Sequence, residues 1–229
     1  MKRTEPLRLA VLISGRGSNM LAIADACMSG QLNMRIVQVI ADRFAQADSN
    51  VAVAGIDAAR QRGLATQTLA AKAYPSRDAF EASLTTALLA SNAEWLVLAG
   101  FMRILSAEFV ARFADRILNI HPSLLPAFKG LHTHQQALAA GVTHHGCSIH
   151  IVTAGLDSGP VIAQAKVPVL AADDEQSLSA RVQRAEHRLY PRVLSWLATD
   201  RLQCRDGNLW LDGQRLTTPR QESFNVESI

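Results

Sequence analysis

Short apolar runs alternate with helical patterns through roughly the first half of the chain, and this rhythm limits the fold more than any other feature. Strand-like runs occupy 7–13, 34–42, 64–70, 95–100 and 116–121. Strands that are apolar along most of their length are typical of a parallel sheet covered by helices on both faces. We therefore predict a Rossmann-like α/β fold with a mostly parallel sheet.

The pattern changes after His121. The runs at 146–152 and 160–170 are separated only by the turn TAGLDSG, which favours an antiparallel pair over another helical crossover. The C-terminal part of the sheet is therefore predicted to be antiparallel.

Four helical patterns fill the intervals in the first half: 19–29, 48–62, a stretch opening at Pro75-Ser76, and a short one capped by Ser106. A longer helix should begin at Asp173-Asp174 and reach Leu197, with a kink or break near Tyr190 because proline follows it. We predict one domain over 7–216, flanked by terminal tails at 1–6 and 217–229.

Composition narrows the class of protein. Of the 229 residues 48% are hydrophobic and 19% charged, which is enough for a buried core and excludes composition-driven disorder. The 23 basic residues against 20 acidic ones are scattered, so neither nucleic acid nor a membrane is expected as a partner. Three widely spaced cysteines and an N-terminal apolar run too short for a signal peptide favour a cytoplasmic location.

The first candidate site is Ser14-Gly15-Arg16-Gly17-Ser18-Asn19, between a strand and a helix. Glycines let backbone amides approach an anion, and the first-turn N–H groups of a helix have no intrahelical acceptor. The motif therefore predicts phosphate binding, although an ordinary tight turn explains it too. It lacks the last glycine of a dinucleotide fingerprint and the lysine of a P-loop.

A second candidate lies where the strand at 116–121 ends. Asn119 and His121 share one face of an extended segment, and Pro122 helps to terminate it. An amide can stabilise an oxyanion and an imidazole can move a proton near neutral pH. Asp157, in a Gly-Pro turn, could orient that imidazole. The alternatives are that the amide and imidazole satisfy loop amides, and that the aspartate only forms a turn.

Two other kinds of site are not favoured. His132, His134, His144 and His145 lack the spacing of a closed zinc site, and no metal is expected. The serines lie outside any G-x-S-x-G elbow, which argues against a serine hydrolase.

Taken together, the motifs resemble the phosphoribosylglycinamide formyltransferases, small folate-dependent enzymes of purine biosynthesis. The resemblance covers about residues 7 to 216. It is carried by GRGSN at 15–19, LAGFMRILS at 98–106, ILNIHPSLLPAFKGLHTHQQAL at 117–138, SIHIVTAGLDSGPVIAQAKVPV at 148–169 and WLDGQRL at 210–216.

The resemblance implies transfer of a formyl group from 10-formyltetrahydrofolate to the amine of glycinamide ribonucleotide. Asn119 would then stabilise the oxyanion, and His121, aided by Asp157, would donate or relay a proton. The resemblance also assigns binding residues. Gly17, Ser18 and Asn19 would hold the substrate phosphate, Glu186 the ribose, and Arg77, Met102, Arg103, Ile104, Leu105, Thr153, Ala154, Gly155 and Leu156 the folate.

Three alternatives remain at this point. A methionyl-tRNA formyltransferase should carry a C-terminal nucleic-acid-binding domain, and only 13 residues follow Leu216. A formyltetrahydrofolate hydrolase should carry an N-terminal regulatory domain, and the first predicted strand starts at residue 7. The chain is therefore expected to have neither. A phosphate-binding module without catalysis would make Asn119, His121 and Asp157 coincidental. The enzyme is expected to be a monomer or a homodimer.

Overall fold

A computed structural model describes residues 5–46 and 51–224. The chain divides into two compact units, one up to Leu118 and one from Asn119 onward.

The first unit alternates strands and helices as the sequence predicts. Its elements are β1 (Leu7–Ile13), α1 (Ser18–Met28), β2 (Met34–Ala41), α2 (Ala54–Gln61), β3 (Thr66–Thr68), a 3-10 turn (Ala71–Ala73), α3 (Arg77–Ala90), β4 (Trp95–Leu98) and α4 (Ala107–Arg112). The helix predicted at 48–62 is shorter than expected, and its first residues lie outside the described ranges.

Parallel pairing places β1 between β2 and β4, with β3 beyond β2. Strands β2 and β3 are therefore added on one side of β1, and β4 is added on the other side. Right-handed crossovers put the helices before and after such a change of side on opposite faces of the sheet. The carboxyl ends of β1 and β4 thus form a topological switch point, where open α/β sheets bind ligands.

Helix caps follow the sequence signals. The Ser76 and Ser106 hydroxyls accept hydrogen bonds from the third amides of α3 and α4, both at 3.1 Å. Each satisfies a helix amide that has no intrahelical partner.

The second unit contains a hairpin, one long helix and a small separate sheet. Its elements are β5 (Ile117–His121, which starts in the first unit), α5 (Thr133–Ala139), β6 (His144–Ile151), β7 (Val161–Pro168), α6 (Glu175–Ala198), β8 (Leu202–Arg205), β9 (Asn208–Leu211), β10 (Gln214–Arg215) and β11 (Arg220–Glu222). Strands β6 and β7 are antiparallel, which confirms the predicted pair. Strands β8 to β10 form an antiparallel sheet of their own. The strand order is β4-β1-β2-β3 within the first unit and β11-β7-β6-β5 within the second.

Of the two outcomes expected near Tyr190, a kink or a break, the break does not occur: helix α6 continues past Pro191 from Glu175 to Ala198. Proline removes one backbone hydrogen bond and crowds the preceding turn. The buried side chains around it, Tyr190, Val193 and Trp196, offset that loss by packing into the core of the second unit. The predicted start is confirmed: Asp174 caps the helix in a capping box with Ser177.

The C-terminal residues also contribute structure. Strand β11, within the segment expected to be a tail, pairs in parallel with β7 along Arg220–Glu222. The fold class is confirmed: a mostly parallel sheet with helices and an antiparallel pair in its C-terminal part. Among the described residues no helix is both long and apolar enough to span a membrane.

Candidate active site

The loop after β1 is tied to the loop after β4 at the switch point. The Ser14 backbone amide donates a hydrogen bond to the Gly100 carbonyl at 3.1 Å. The Ser14 hydroxyl accepts one from the Met102 amide at 2.9 Å. These two bonds hold the glycine motif of the first loop in a fixed position beside the segment that begins at Met102.

Gly17 ends the glycine loop and caps α1 in the left-handed region, with φ of 70°, which glycine adopts without strain. A second glycine, Gly55 at the start of α2, lies against the same loop. Its amide donates to the Gly15 carbonyl at 3.0 Å. A Cβ on Gly55 would lie 2.6 Å from that carbonyl oxygen, so only glycine allows this approach. Ser18 and Asn19 follow as the first residues of α1.

This arrangement suits an anion. The first-turn amides of α1 follow directly from the glycine loop, and the positive end of the helix dipole lies at the same place. Asn19 is buried, whereas Ser18 is only half-buried. The three residues predicted to bind phosphate therefore lie together at one helix N-terminus.

A cleft of about 500 Å³ lies elsewhere in the first unit, and it brings together five of the predicted folate residues. Arg77, at the start of α3, faces the irregular segment 102–105 across it. Met102 and Ile104 are 62% and 64% exposed, while Leu105 is buried. The walls therefore combine exposed apolar surface with the cationic groups of Arg77 and Arg103 and the carboxylate of Glu81. Tyr74 and Phe80 add aromatic surface.

In the second unit His121 lies between two acceptors. Its Nδ1 is 3.4 Å from Asp157 Oδ2, and its Nε2 is 2.9 Å from the Phe128 carbonyl oxygen. Both side chains of the His121–Asp157 pair are almost fully buried, at 6% and 9% exposed. With a hydrogen on Nε2 the ring donates to the Phe128 carbonyl, and the Asp157 carboxylate faces the opposite nitrogen at ion-pair distance.

Asp157 is itself held in place. It adopts a positive φ of 44°, in the left-handed region, and its Oδ2 accepts a hydrogen bond from the Gly130 amide at 2.9 Å. The β6–β7 connection that carries it is therefore fixed against the loop that follows β5. This fixes the direction in which the carboxylate faces the imidazole.

A histidine that the sequence reasoning missed joins the other two predicted residues. His150 Nδ1 lies 3.0 Å from the Ile151 carbonyl, and its Nε2 lies 3.1 Å from Asn119 Nδ2 and 3.7 Å from Asp157 Oδ1. A carbonyl can only accept, so Nδ1 carries the hydrogen and Nε2 accepts from the Asn119 amide. Burial lowers the pKa of His150, which keeps that ring neutral.

The two histidines thus have different surroundings. His150 orients the Asn119 amide, whose second N–H remains able to donate to another acceptor. His121 faces a carboxylate and a carbonyl. Asn119, His121 and Asp157 therefore converge, as predicted, into one cluster with an oriented amide donor and a supported imidazole. Such a cluster can stabilise an oxyanion and move a proton in the same reaction.

The remaining residues predicted to bind folate lie in the loop after β6. Thr153, Ala154, Gly155 and Leu156 are all exposed. Ser158 closes this loop by donating to the Leu156 carbonyl at 2.8 Å, and it accepts from Lys129 Nζ at 2.8 Å. The loop is thus tied to the segment after β5 through a second contact besides Asp157.

Glu186, the predicted ribose ligand, is buried on α6 at 7% exposure. The pKa values of Cys147 and Tyr190 are raised mainly by the burial of these two side chains. The negative charge of Glu186 raises both pKa values further. Glu186 thus lies near Cys147 and Tyr190 in the second unit, and its predicted contact with ribose stays a prediction.

Two histidines considered for metal binding pair with each other. His145 Nε2 lies 3.2 Å from His134 Nδ1, and the rings meet edge to face. Burial and the neighbouring His134 lower the pKa of His145 to about 4. His145 also packs against the ring of Phe128, whose carbonyl accepts from His121. The pair therefore packs against the loop whose Phe128 carbonyl contacts His121.

Comparison with known proteins agrees with this geometry. The family model described as formyl transferase matches residues 7–194. The chain is 50% identical over 210 residues to the phosphoribosylglycinamide formyltransferase of Escherichia coli, covering 92% of this chain and 96% of that one. It is 42% identical over 194 residues to the enzyme of the same name from Mycobacterium tuberculosis, covering 85% and 86%.

Solved structures give the same result. A phosphoribosylglycinamide formyltransferase from Coxiella burnetii superposes with a TM-score of 0.87 at 42% identity, covering 95% of this chain and 99% of that one. A formyltetrahydrofolate deformylase from Pseudomonas syringae shares the fold, with a TM-score of 0.80 at 23% identity, but only 66% of its length is covered. The resemblance drawn from the sequence motifs is confirmed.

Proposed function

Because the chain belongs to the formyl transferase family, we propose that it transfers the formyl group of 10-formyltetrahydrofolate to the amine of glycinamide ribonucleotide. The enzyme class predicted from the sequence, a formyltransferase of purine biosynthesis, is confirmed. The observation that carries the proposal is the cluster of Asn119, His121 and Asp157, in which His121 Nδ1 lies 3.4 Å from the carboxylate.

The reaction joins the substrate nitrogen to the formyl carbon and breaks the bond from that carbon to N10 of the folate. Attack by the amine places negative charge on the formyl oxygen. The second N–H of Asn119 would donate to that oxygen, and one such donor supplies about 3 kcal/mol of transition-state stabilisation. His150 keeps the amide turned for this role, since the first N–H is already used.

His121 would move the proton in this reaction. The attacking amine must lose a proton and N10 must gain one, so a single group that relays a proton serves both needs. The carboxylate of Asp157 would stabilise the positive ring between these steps and keep it oriented. The Phe128 carbonyl fixes the opposite edge of the same ring at 2.9 Å.

The binding roles complete the proposal. Gly17, Ser18 and Asn19 would hold the substrate phosphate, and Glu186 its ribose. The cleft between Arg77 and the 102–105 segment would hold the folate, with the 153–156 loop contributing mainly through its backbone. We expect no metal to take part. The enzyme would act in the cytoplasm as a monomer or homodimer.

The test follows tetrahydrofolate release with both substrates present and again without the ribonucleotide. Release should require the amine; release without it would indicate hydrolysis of the formyl donor. His121→Ala should lose transfer while keeping affinity for the ribonucleotide. The matched control is His144→Ala, an exposed histidine on β6, which should leave transfer unchanged. Full activity in the His121 variant would overturn the proposed mechanism.

A further inference from the structure

The segment 102–105 lines the cleft without belonging to a helix or strand. A ligand-lining segment of this kind has no sheet or helix hydrogen bonds to fix its backbone. Contacts with other parts of the protein must therefore set the conformation of this segment. A binding segment that is loosely held lowers the affinity for its ligand, because ordering it on binding costs free energy.

Both ends of the segment are anchored by buried polar side chains. At the start, the Met102 amide donates to Ser14 Oγ. At the end, the Ser106 amide donates to Glu81 Oε1 at 2.8 Å, and the Ser106 hydroxyl donates to Glu81 Oε2. Ser14 and Glu81 are 7% and 6% exposed, so neither bond competes freely with water.

The middle of the segment is held by an ion pair. Arg103 Nε donates to Asp42 Oδ2 at 2.6 Å, and the Asp42 side chain is fully buried, whereas that of Arg103 is 36% exposed. The other carboxylate oxygen accepts from Arg43 Nε at 3.3 Å. The Arg103 guanidinium also lies 5.5 Å from the centre of the Phe80 ring.

The four side chains of the segment differ in their surroundings. Arg103 is held by Asp42 and Leu105 is buried, whereas Met102 and Ile104 are exposed. A buried ion pair contributes little net stability, because desolvation offsets the attraction, so conformational control is the better account of this carboxylate.

We propose that Asp42, which no sequence motif singled out, is a positioning residue for the folate-lining segment. It acts through Arg103 and does not touch the reacting atoms. The inference rests on the proposed function, because it assigns the cleft to the formyl donor. It goes beyond that proposal because it states that the affinity for the formyl donor depends on the Asp42 carboxylate, which directly follows β2.

The experiment compares Asp42→Ala and Asp42→Asn with the unmodified enzyme in steady-state kinetics, varying 10-formyltetrahydrofolate and glycinamide ribonucleotide separately. Asp42→Ala should raise KM for the formyl donor about tenfold, as expected for loss of one charged hydrogen bond. The KM for the ribonucleotide and kcat should change less than about twofold. Asp42→Asn keeps an acceptor for Arg103 and should recover most of the donor affinity.

The control is Asp57→Ala, which removes an exposed carboxylate paired with Arg60 on α2 and should leave both KM values unchanged. An Asp42→Ala enzyme with an unaltered donor KM, or with both KM values and kcat altered alike, overturns the inference. If the unmodified enzyme does not transfer the formyl group at all, the proposed function itself fails. Should the alanine variant not fold, a normal donor KM in a folded Arg103→Lys variant would refute the inference, because lysine cannot reproduce the Nε contact.

Discussion

Replacing Asp157 with asparagine should slow formyl transfer while leaving the ribonucleotide bound. The amide oxygen can stay in the position of Oδ2, where it accepts from the Gly130 amide, so the loop keeps its geometry. What is lost is the negative charge 3.4 Å from His121 Nδ1. The substitution therefore tests charge separately from shape.

The magnitude follows from the distance. Two unit charges this far apart attract by about 5 kcal/mol at an effective dielectric constant of about 20. The amide dipole keeps part of this, so we expect a loss of about 3 kcal/mol in the transition state, which is about a hundredfold in kcat. Because the charge matters only when the imidazole is positive, the KM for the ribonucleotide should move less than about threefold.

The assay is the initial rate of tetrahydrofolate release with each substrate varied in turn, and the thermal midpoint confirms folding. Asp212→Asn is the matched control, since that exposed carboxylate pairs with Arg201 in the small C-terminal sheet. The reasoning is refuted if kcat falls less than about threefold, or if the whole effect appears as weaker ribonucleotide binding.

Three further predictions concern other parts of the molecule. Gly55→Ala should weaken ribonucleotide binding and destabilise the fold by about 1–3 kcal/mol, because its Cβ would lie 2.6 Å from the Gly15 carbonyl oxygen; titration and urea unfolding measure the two effects. His145→Asn should flatten the loss of stability on acidification from about pH 6.5 to 4, since a histidine with a lowered pKa binds its proton more readily when unfolded. Asp173→Asn should lower the thermal midpoint above about pH 5 and matter less below about pH 4, because the Arg181 partner lowers the pKa of that carboxyl and its contribution is lost as it protonates.

Each of these has a clear contrary result. Unchanged ribonucleotide affinity in Gly55→Ala would mean that the glycine loop does not need this close approach. An equally steep acid dependence in His145→Asn, or a thermal difference for Asp173→Asn that is as large at about pH 2 as at about pH 5, would show that other groups carry the pH dependence.

Much of the fold was predictable because local signals and tertiary packing agree. The apolar strands before Ser14 and His121 and the caps at Ser76, Ser106 and Asp174 all appear where the sequence places them. Asn119 and His121 were singled out because polar residues at the carboxyl end of a strand are typical of a ligand site, and Asp157 because a carboxylate can orient an imidazole.

The rest depended on contacts that no local pattern encodes. His150 lies in a strand whose neighbours are buried, so it is indistinguishable from a core histidine until the β6–β7 register is known. Strand β11 is polar and gains its structure only from β7. The small sheet had a usable signal: Asp206-Gly207 and Asp212-Gly213 both have positive φ, as two-residue hairpin turns require.

Strand β11 has a further consequence for how copies of this protein behave together. A long strand with unpaired amides and carbonyls is a template on which another chain can add. The residues Arg220–Glu222 pair with residues 163–165 of β7, so these backbone groups are not available to another chain. The Gln221 side chain adds a contact by donating to Gln164 Oε1 at 3.0 Å. Removing β11 would leave this ladder open to strand exchange between molecules, so the C-terminal segment guards against aggregation as well as completing the sheet.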